Sequence, residues 1–141
     1  VAIDGRVSVA GRHAPLSRAA IVRTAASVLR TERRKADLSI GFLGRDAMRE
    51  LNRRWTGHDR VTDVLAFPLR GPAGGLVGDI YICRLQAARE AGSRGVPLRE
   101  ELIRLVVHGV LHVLGYDHPE GAERVRSPMW KRQERLVRRL S

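Results

Sequence analysis

The sequence predicts an α+β fold in which helices pack on one small sheet, and three observations predict it. Aromatic residues make up 4% of the chain against a hydrophobic fraction of 43%, so the core has to be assembled from Leu, Val, Ile and Ala. Several short segments alternate apolar and polar side chains with the period of a strand, and longer ones repeat their apolar residues with the period of a helix. The length of 141 residues suits one domain, 1–141, with one core.

In chain order, Ile3, Val7 and Val9 alternate weakly and predict a first strand within residues 1–10. Ile21, Val22, Ala25, Val28 and Leu29 recur at helical spacing and predict a helix from about Ser17 to Arg30. Leu38, Ile40 and Phe42 alternate as a second strand, and Ala47, Met48 and Leu51 mark a short helix ending near Arg54. After the loop residues Gly57 and Asp59, the run Val64 to Phe67 is closed by Pro68 and predicts a third strand. Gly71 to Gly75 is a turn, and Asp79 to Cys83 predicts a fourth strand.

From Pro97 the chain is apolar around most of a helical circumference, through Leu102, Ile103, Val106, Val107, Val110, Leu111 and Leu114. Such a helix is buried. Pro97 fits its first turn, Glu100 and Glu101 face its positive end, and Gly115 fits the left-handed position that stops it. A final helix is predicted from about Ser127, with Ser127 as cap and Pro128 at its first position.

The 26 Lys plus Arg against 15 Asp plus Glu give a formal charge of +11, and only Lys35 and Lys131 are lysines. A polyanion is the partner this charge suits, and the planar guanidinium fork suits phosphate better than a point charge does. Arg-rich composition also serves solubility, so charge alone supports nucleic acid without proving it. Cys83 is the one cysteine, which excludes an intramolecular disulfide and a thiolate zinc cluster. The chain has no stretch of about 18 apolar residues, and Asp4, Arg6 and Arg12 come with no apolar run between them. These features predict a cytoplasmic protein without a membrane span or signal peptide.

The chemistry concentrates on the buried helix. His108 and His112 are four residues apart, so both rings leave one helix face with Cβ atoms about 6 Å apart. Gly115 then ends the helix and Pro119 biases His118 toward extended backbone, so the chain can turn and return a third imidazole to the first two. Three neutral imidazoles with an open fourth position are a catalytic zinc arrangement, since closed structural sites use four protein ligands. The run from His108 to His118 has the spacing of the extended zinc-protease signature with one exception, Gly109, which stands where the proteases carry a proton-accepting Glu. Peptide hydrolysis by that route is disfavoured. Phosphodiester cleavage in RNA stays open, because zinc polarises a phosphoryl oxygen and RNA carries its own 2′-OH nucleophile. Asp117 and Asp79 are candidates to orient a ligating imidazole, with turn residue and strand-edge cap as their alternative roles.

The segment H-G-V-L-H-V-L-G-Y-D-H from His108 to His118 closely resembles the signature of the YbeY family of bacterial zinc-dependent endoribonucleases. Asp59 to Pro68, D-R-V-T-D-V-L-A-F-P, is similar to that family's D-x-P-T-D-V-L-S-F-P segment, and Gly78-Asp79-Ile80, Met129-Trp130 and Gln133-Glu134 match as well. The likeness runs from Leu38 to Glu134. It implies an α+β fold with a small, mostly parallel four-stranded sheet packed with about five helices, and a zinc ion on the buried helix and the turn after it. It also implies one Zn2+ per chain held by His108, His112 and His118. The implied work is ribosomal RNA maturation, in 3′-end processing of the small-subunit rRNA, and ribosome quality control on ribosomal particles.

Three positions depart from the family pattern. Thr56 stands where the family usually carries an Arg that the resemblance ties to RNA cleavage, Val61 replaces a Pro, and Ala66 replaces a Ser. Arg53, Arg54 and Arg60 are nearby candidates to supply RNA-binding charge in place of the missing Arg. The general base stays unassigned. Two other readings remain beside the endoribonuclease: a zinc hydrolase of another substrate, against which Gly109 counts, and a noncatalytic zinc-stabilised ribosome or RNA-binding protein, which Thr56 favours.

Overall fold

The computed structural model describes residues 5–72 and 74–141. Its elements run β1 (Val7–Ala10), α1 (Arg18–Glu32), β2 (Asp37–Leu43), α2 (Arg45–Thr56), β3 (Val64–Arg70), β4 (Leu76–Cys83), α3 (Arg84–Arg94), α4 (Leu98–Val113), a 3-10 turn (Gly121–Arg126) and α5 (Pro128–Leu140). The four strands form one sheet in the order β1-β2-β4-β3. β1, β2 and β4 are parallel, while β3 joins β4 antiparallel, pairing Val64 with Ile82 and Phe67 with Asp79. The expected mostly parallel four-stranded sheet is therefore present. Ile3 and Asp4 lie outside the described residues.

The helix ends follow their capping chemistry. The Ser17 hydroxyl accepts a hydrogen bond from the Ala20 amide at 3.0 Å, and Ser127 does the same for Trp130 at 3.2 Å with Pro128 in the first turn. Two elements differ from expectation. β3 does not stop at Pro68 but continues to Arg70, which an edge strand permits because one side of its backbone has no ladder to break. α3 has no counterpart among the helices placed from the sequence, since it buries only Ala87 and Ala91 and leaves Leu85 exposed.

α4 is the axis of the core. Every residue from Glu101 to Leu111 is buried, and α1, α3 and α5 pack around it against the sheet face that presents Ile80 and Ile82. Two glycines set how close it lies. A Cβ on Gly109 would meet Ile80 Cγ2 at 2.7 Å, and one on Gly78 would meet Val113 Cγ1 at 2.5 Å. Gly109 is thus required by helix-to-sheet contact, and its α-carbon faces β4. α2 covers the opposite face of the sheet, so the free edge of β3 is left open between the two helical layers. Cys83 is a free, fully buried thiol at the end of β4.

Candidate metal centre

His108 and His112 leave α4 toward the open edge of β3. The helix closes with a Schellman pattern: the Gly115 amide donates to His112 O at 3.0 Å and the Tyr116 amide to Leu111 O at 3.1 Å. Gly115 takes the left-handed conformation this requires, with φ 105°. The Tyr116 hydroxyl then donates to Glu32 at 2.6 Å, tying the turn to α1. The turn returns His118 beside His108, with ring centroids 5.1 Å apart. All three histidines line one cavity of about 260 Å3, whose other walls are Thr56, the β3 segment Val64, Leu65, Ala66 and Phe67, and Glu120.

Hydrogen bonds select the tautomers. His108 Nδ1 lies 2.7 Å from Gln133 Oε1, and the amide orientation is fixed because Gln133 Nε2 donates to Glu134 Oε2 at 3.0 Å. An amide oxygen accepts and never donates, so His108 carries its proton on Nδ1 and its Nε2 lone pair is free. His118 Nδ1 lies 3.0 Å from Pro119 O, and the same reasoning frees its Nε2. Burial is the largest influence on His108 and lowers its pKa from 6.5 to about 4, opposed by the Gln133 hydrogen bond and assisted by the charge of Arg124. The ring is held neutral, the state a metal ligand needs. This donor set fits zinc. The three histidines share the cavity, but among the described residues no group of three or more His, Cys, Asp or Glu side chains stands close enough together to hold a metal ion without further movement.

Behind His108 lies a buried charged cluster. Arg104 donates to Glu100 at 3.0 Å, to Glu101 at 2.9 Å and to both oxygens of Glu134 at 2.8 and 2.9 Å. Glu101 is 1% exposed. Asp63 and Arg124 border the same region; burial raises the Asp63 pKa against the opposing charge of Arg124. His108 is thereby fixed through Gln133, then Glu134, then Arg104.

A family model described as Endoribonuclease YbeY matches residues 11–141. The chain belongs to the YbeY endoribonuclease family. Its relatives include Endoribonuclease YbeY of Salinispora tropica, 45% identical over 72% of this chain and 73% of that protein. The corresponding protein of Stenotrophomonas maltophilia is 38% identical over 87% of this chain and 81% of that one. The solution structure of TM1509 from Thermotoga maritima matches 95% of this chain and 88% of that chain with a TM-score of 0.65 and 27% identity. The match extends beyond Leu38 to Glu134 at both ends.

Set against the YbeY pattern, two of the three departures touch the cavity. Thr56 lines it with its hydroxyl turned back to Asn52, 2.6 Å from Oδ1, and Ala66 lines it from β3. Arg53, Arg54 and Arg60 are exposed and none lines the cavity. Arg53 is paired with Glu50 at 2.6 Å; among the described residues Arg54 and Arg60 make no ion pair. Neither candidate carboxylate bonds a histidine ring, and the alternative role as a turn residue holds for Asp117. Asp117 accepts the His118 amide at 2.8 Å and so shapes the turn, while Asp79 lies on the other sheet face beside Tyr81. Sequence reasoning assigned no role to Gln133 or Glu120. Glu120 follows His118 by two residues, a spacing that was available as a signal.

Proposed function

We propose that the chain is a zinc-dependent endoribonuclease of ribosomal RNA, acting in small-subunit 3′-end maturation and in the quality control of ribosomal particles. The observation that carries this reading is the pair of imidazoles whose Nδ1 atoms are spent on carbonyl oxygens, leaving Nε2 lone pairs for a cavity at an open strand edge. His108, His112 and His118 would hold one Zn2+. Bound there, zinc supplies Lewis acidity, polarising a phosphoryl oxygen and making a nucleophile more acidic.

The residues of the chain do the remaining work. Glu120 is the carboxylate among those lining the cavity and takes the proton that Gly109, turned to Ile80, has no group to accept. The +11 charge draws the RNA backbone to the surface, with Arg54 and Arg60 making no ion pair among the described residues. A cytoplasmic location accompanies that substrate.

Thr56 in the cavity wall favours one second reading, a ribosome-associated binding protein that does not cut. Cleavage of a small-subunit rRNA 3′-end precursor separates the two. Thr56→Arg should raise the rate without changing metal content, by up to about 3 kcal/mol or roughly a hundredfold, because it places a cation near the phosphate. If Arg54 or Arg60 already fills that role, Arg54→Ala or Arg60→Ala slows cleavage and Thr56→Arg does little. A zinc-loaded protein that binds ribosomal particles yet leaves the precursor intact would select the binding reading.

A further inference from the structure

The ends of α1 and α5 meet in a basic surface. Residues 30–35 carry four Lys or Arg and residues 131–139 carry five, against Glu32 and Glu134. Packing joins the two segments: Arg139 Nη2 donates to Thr31 Oγ1 at 3.0 Å, and Arg132 pairs with Glu32 at 2.9 Å. Both carboxylates are spent inside the protein, Glu32 on the Tyr116 hydroxyl and Arg132, Glu134 on Arg104 and Gln133. On the outside, Lys131, Arg135 and Arg138 recur at i, i+4 and i+7 and form one exposed stripe about 10 Å long. Among the described residues none of these three, nor Arg30 or Arg33, makes an ion pair. Complementing the helix dipole accounts for Arg30 and Arg138 in last turns. It does not account for Lys131 near the positive end of α5, or for Lys35 beyond the end of α1.

We propose that this surface binds the phosphate backbone of a base-paired RNA stem in the substrate. The inference rests on the endoribonuclease reading above and adds a docking surface apart from the histidine cavity. Guanidinium forks match phosphate oxygens. The exposed large apolar residues among those described are Trp55, Leu69, Leu85 and Val125, and none belongs to either segment. The ring of Tyr116, bonded to Glu32, is covered by Arg132 at 5.2 Å. With no free aromatic face to stack an unpaired base and no apolar side chain to enter a lipid layer, the stripe is left with phosphate contacts. Such contacts are how proteins hold duplex RNA, through its shape. The surface also borders the turn of the metal centre: Arg34 donates to Leu114 O at 3.3 Å, and Tyr116 stands two residues before His118. A stem docked here lies against the element that carries the third histidine.

The test is binding of the zinc-loaded protein to a hairpin oligoribonucleotide, to an unstructured strand of the same length and to vesicles containing phosphatidylserine. Arg135→Gln/Arg138→Gln removes two charges from the stripe, and Arg89→Gln/Arg99→Gln removes two from exposed positions elsewhere. The first pair should weaken hairpin binding by roughly tenfold or more at low salt and flatten its salt dependence by about two in slope, with zinc content and circular dichroism unchanged. It should weaken binding of the unstructured strand less, and the second pair should change hairpin binding by less than about threefold. Equal losses from the two pairs would make the effect one of net charge and overturn the proposal. Equal losses on hairpin and unstructured strand would overturn it as well, because the surface would not distinguish a stem. Unchanged hairpin affinity beside lost vesicle binding identifies a membrane surface, which also overturns it. These results leave the endoribonuclease reading standing, and that reading falls instead if the zinc-loaded wild type cleaves no RNA.

Discussion

His108 and His118 sit side by side yet are held by opposite means. His108 is buried on α4, its Nδ1 locked by Gln133, which is locked by Glu134, which is locked in turn by an Arg104 shared among three carboxylates. His118 stands on a turn anchored by Tyr116 and, among the described residues, is bonded only to its own neighbours Asp117 and Pro119. The helical half is preorganised before any ion arrives. The turn half is held locally, so closing it around an ion costs little. This division explains how His108 and His118 can carry the tautomers a metal needs although no three His, Cys, Asp or Glu among the described residues stand close enough to hold an ion.

The comparison breaks most severely if the buried half is undone. Arg104→Ala leaves Glu101, 1% exposed, with only the long 3.8 Å contact to Arg94 among the described residues, and should cost about 3–5 kcal/mol in urea unfolding. A loss below about 1 kcal/mol would mean that the cluster does not hold the helix face.

The next effect is that of pH on chelator-treated protein. The pKa of His108 falls from 6.5 to about 4 on folding, so as pH drops the unfolded chain takes up the proton first. Stability from this group is complete above 6.5, declines between 6.5 and 4, and is gone below, an overall change of about 3 kcal/mol. His108→Gln should remove that part of the pH dependence; identical profiles for variant and wild type would contradict a neutral, buried His108.

A smaller difference sharpens the contrast between the halves. Gln133→Leu removes the acceptor that orients His108 and should weaken zinc binding by about 10–100-fold, whereas Asp117→Ala, which only loosens the turn, should change it by less than about fivefold. Equal losses would show that the two halves are equally constrained.

What was legible in the sequence divides along a related line. The return of His118 to the cavity of His108 and His112 was readable because i and i+4 spacing, a helix-stopping Gly and a Pro after His118 act over a dozen residues. The caps at Ser17 and Ser127 were local too, and appear where the sequence placed them. Gln133 was not, because it is 25 residues from His108 and reaches it only through the docking of α5. The two candidate carboxylates take other places: Asp117 bonds the His118 backbone, its alternative role as a turn residue, and Asp79 faces the other side of the sheet. α3 escaped because its buried stripe is two alanines, too weak a periodic signal. Gly109 was readable as the absence of a base, but the contact with Ile80 that demands a glycine needed the packed sheet.

Metal content tests the central claim most directly. Purified protein, washed free of loosely held ions, should carry about one zinc per chain, and His112→Ala, folded by circular dichroism, should carry none. RNA cleavage should disappear with chelator and return with zinc in the wild type alone. Undiminished zinc in His112→Ala, or cleavage by that variant at the wild-type rate, would contradict the assignment of the three histidines.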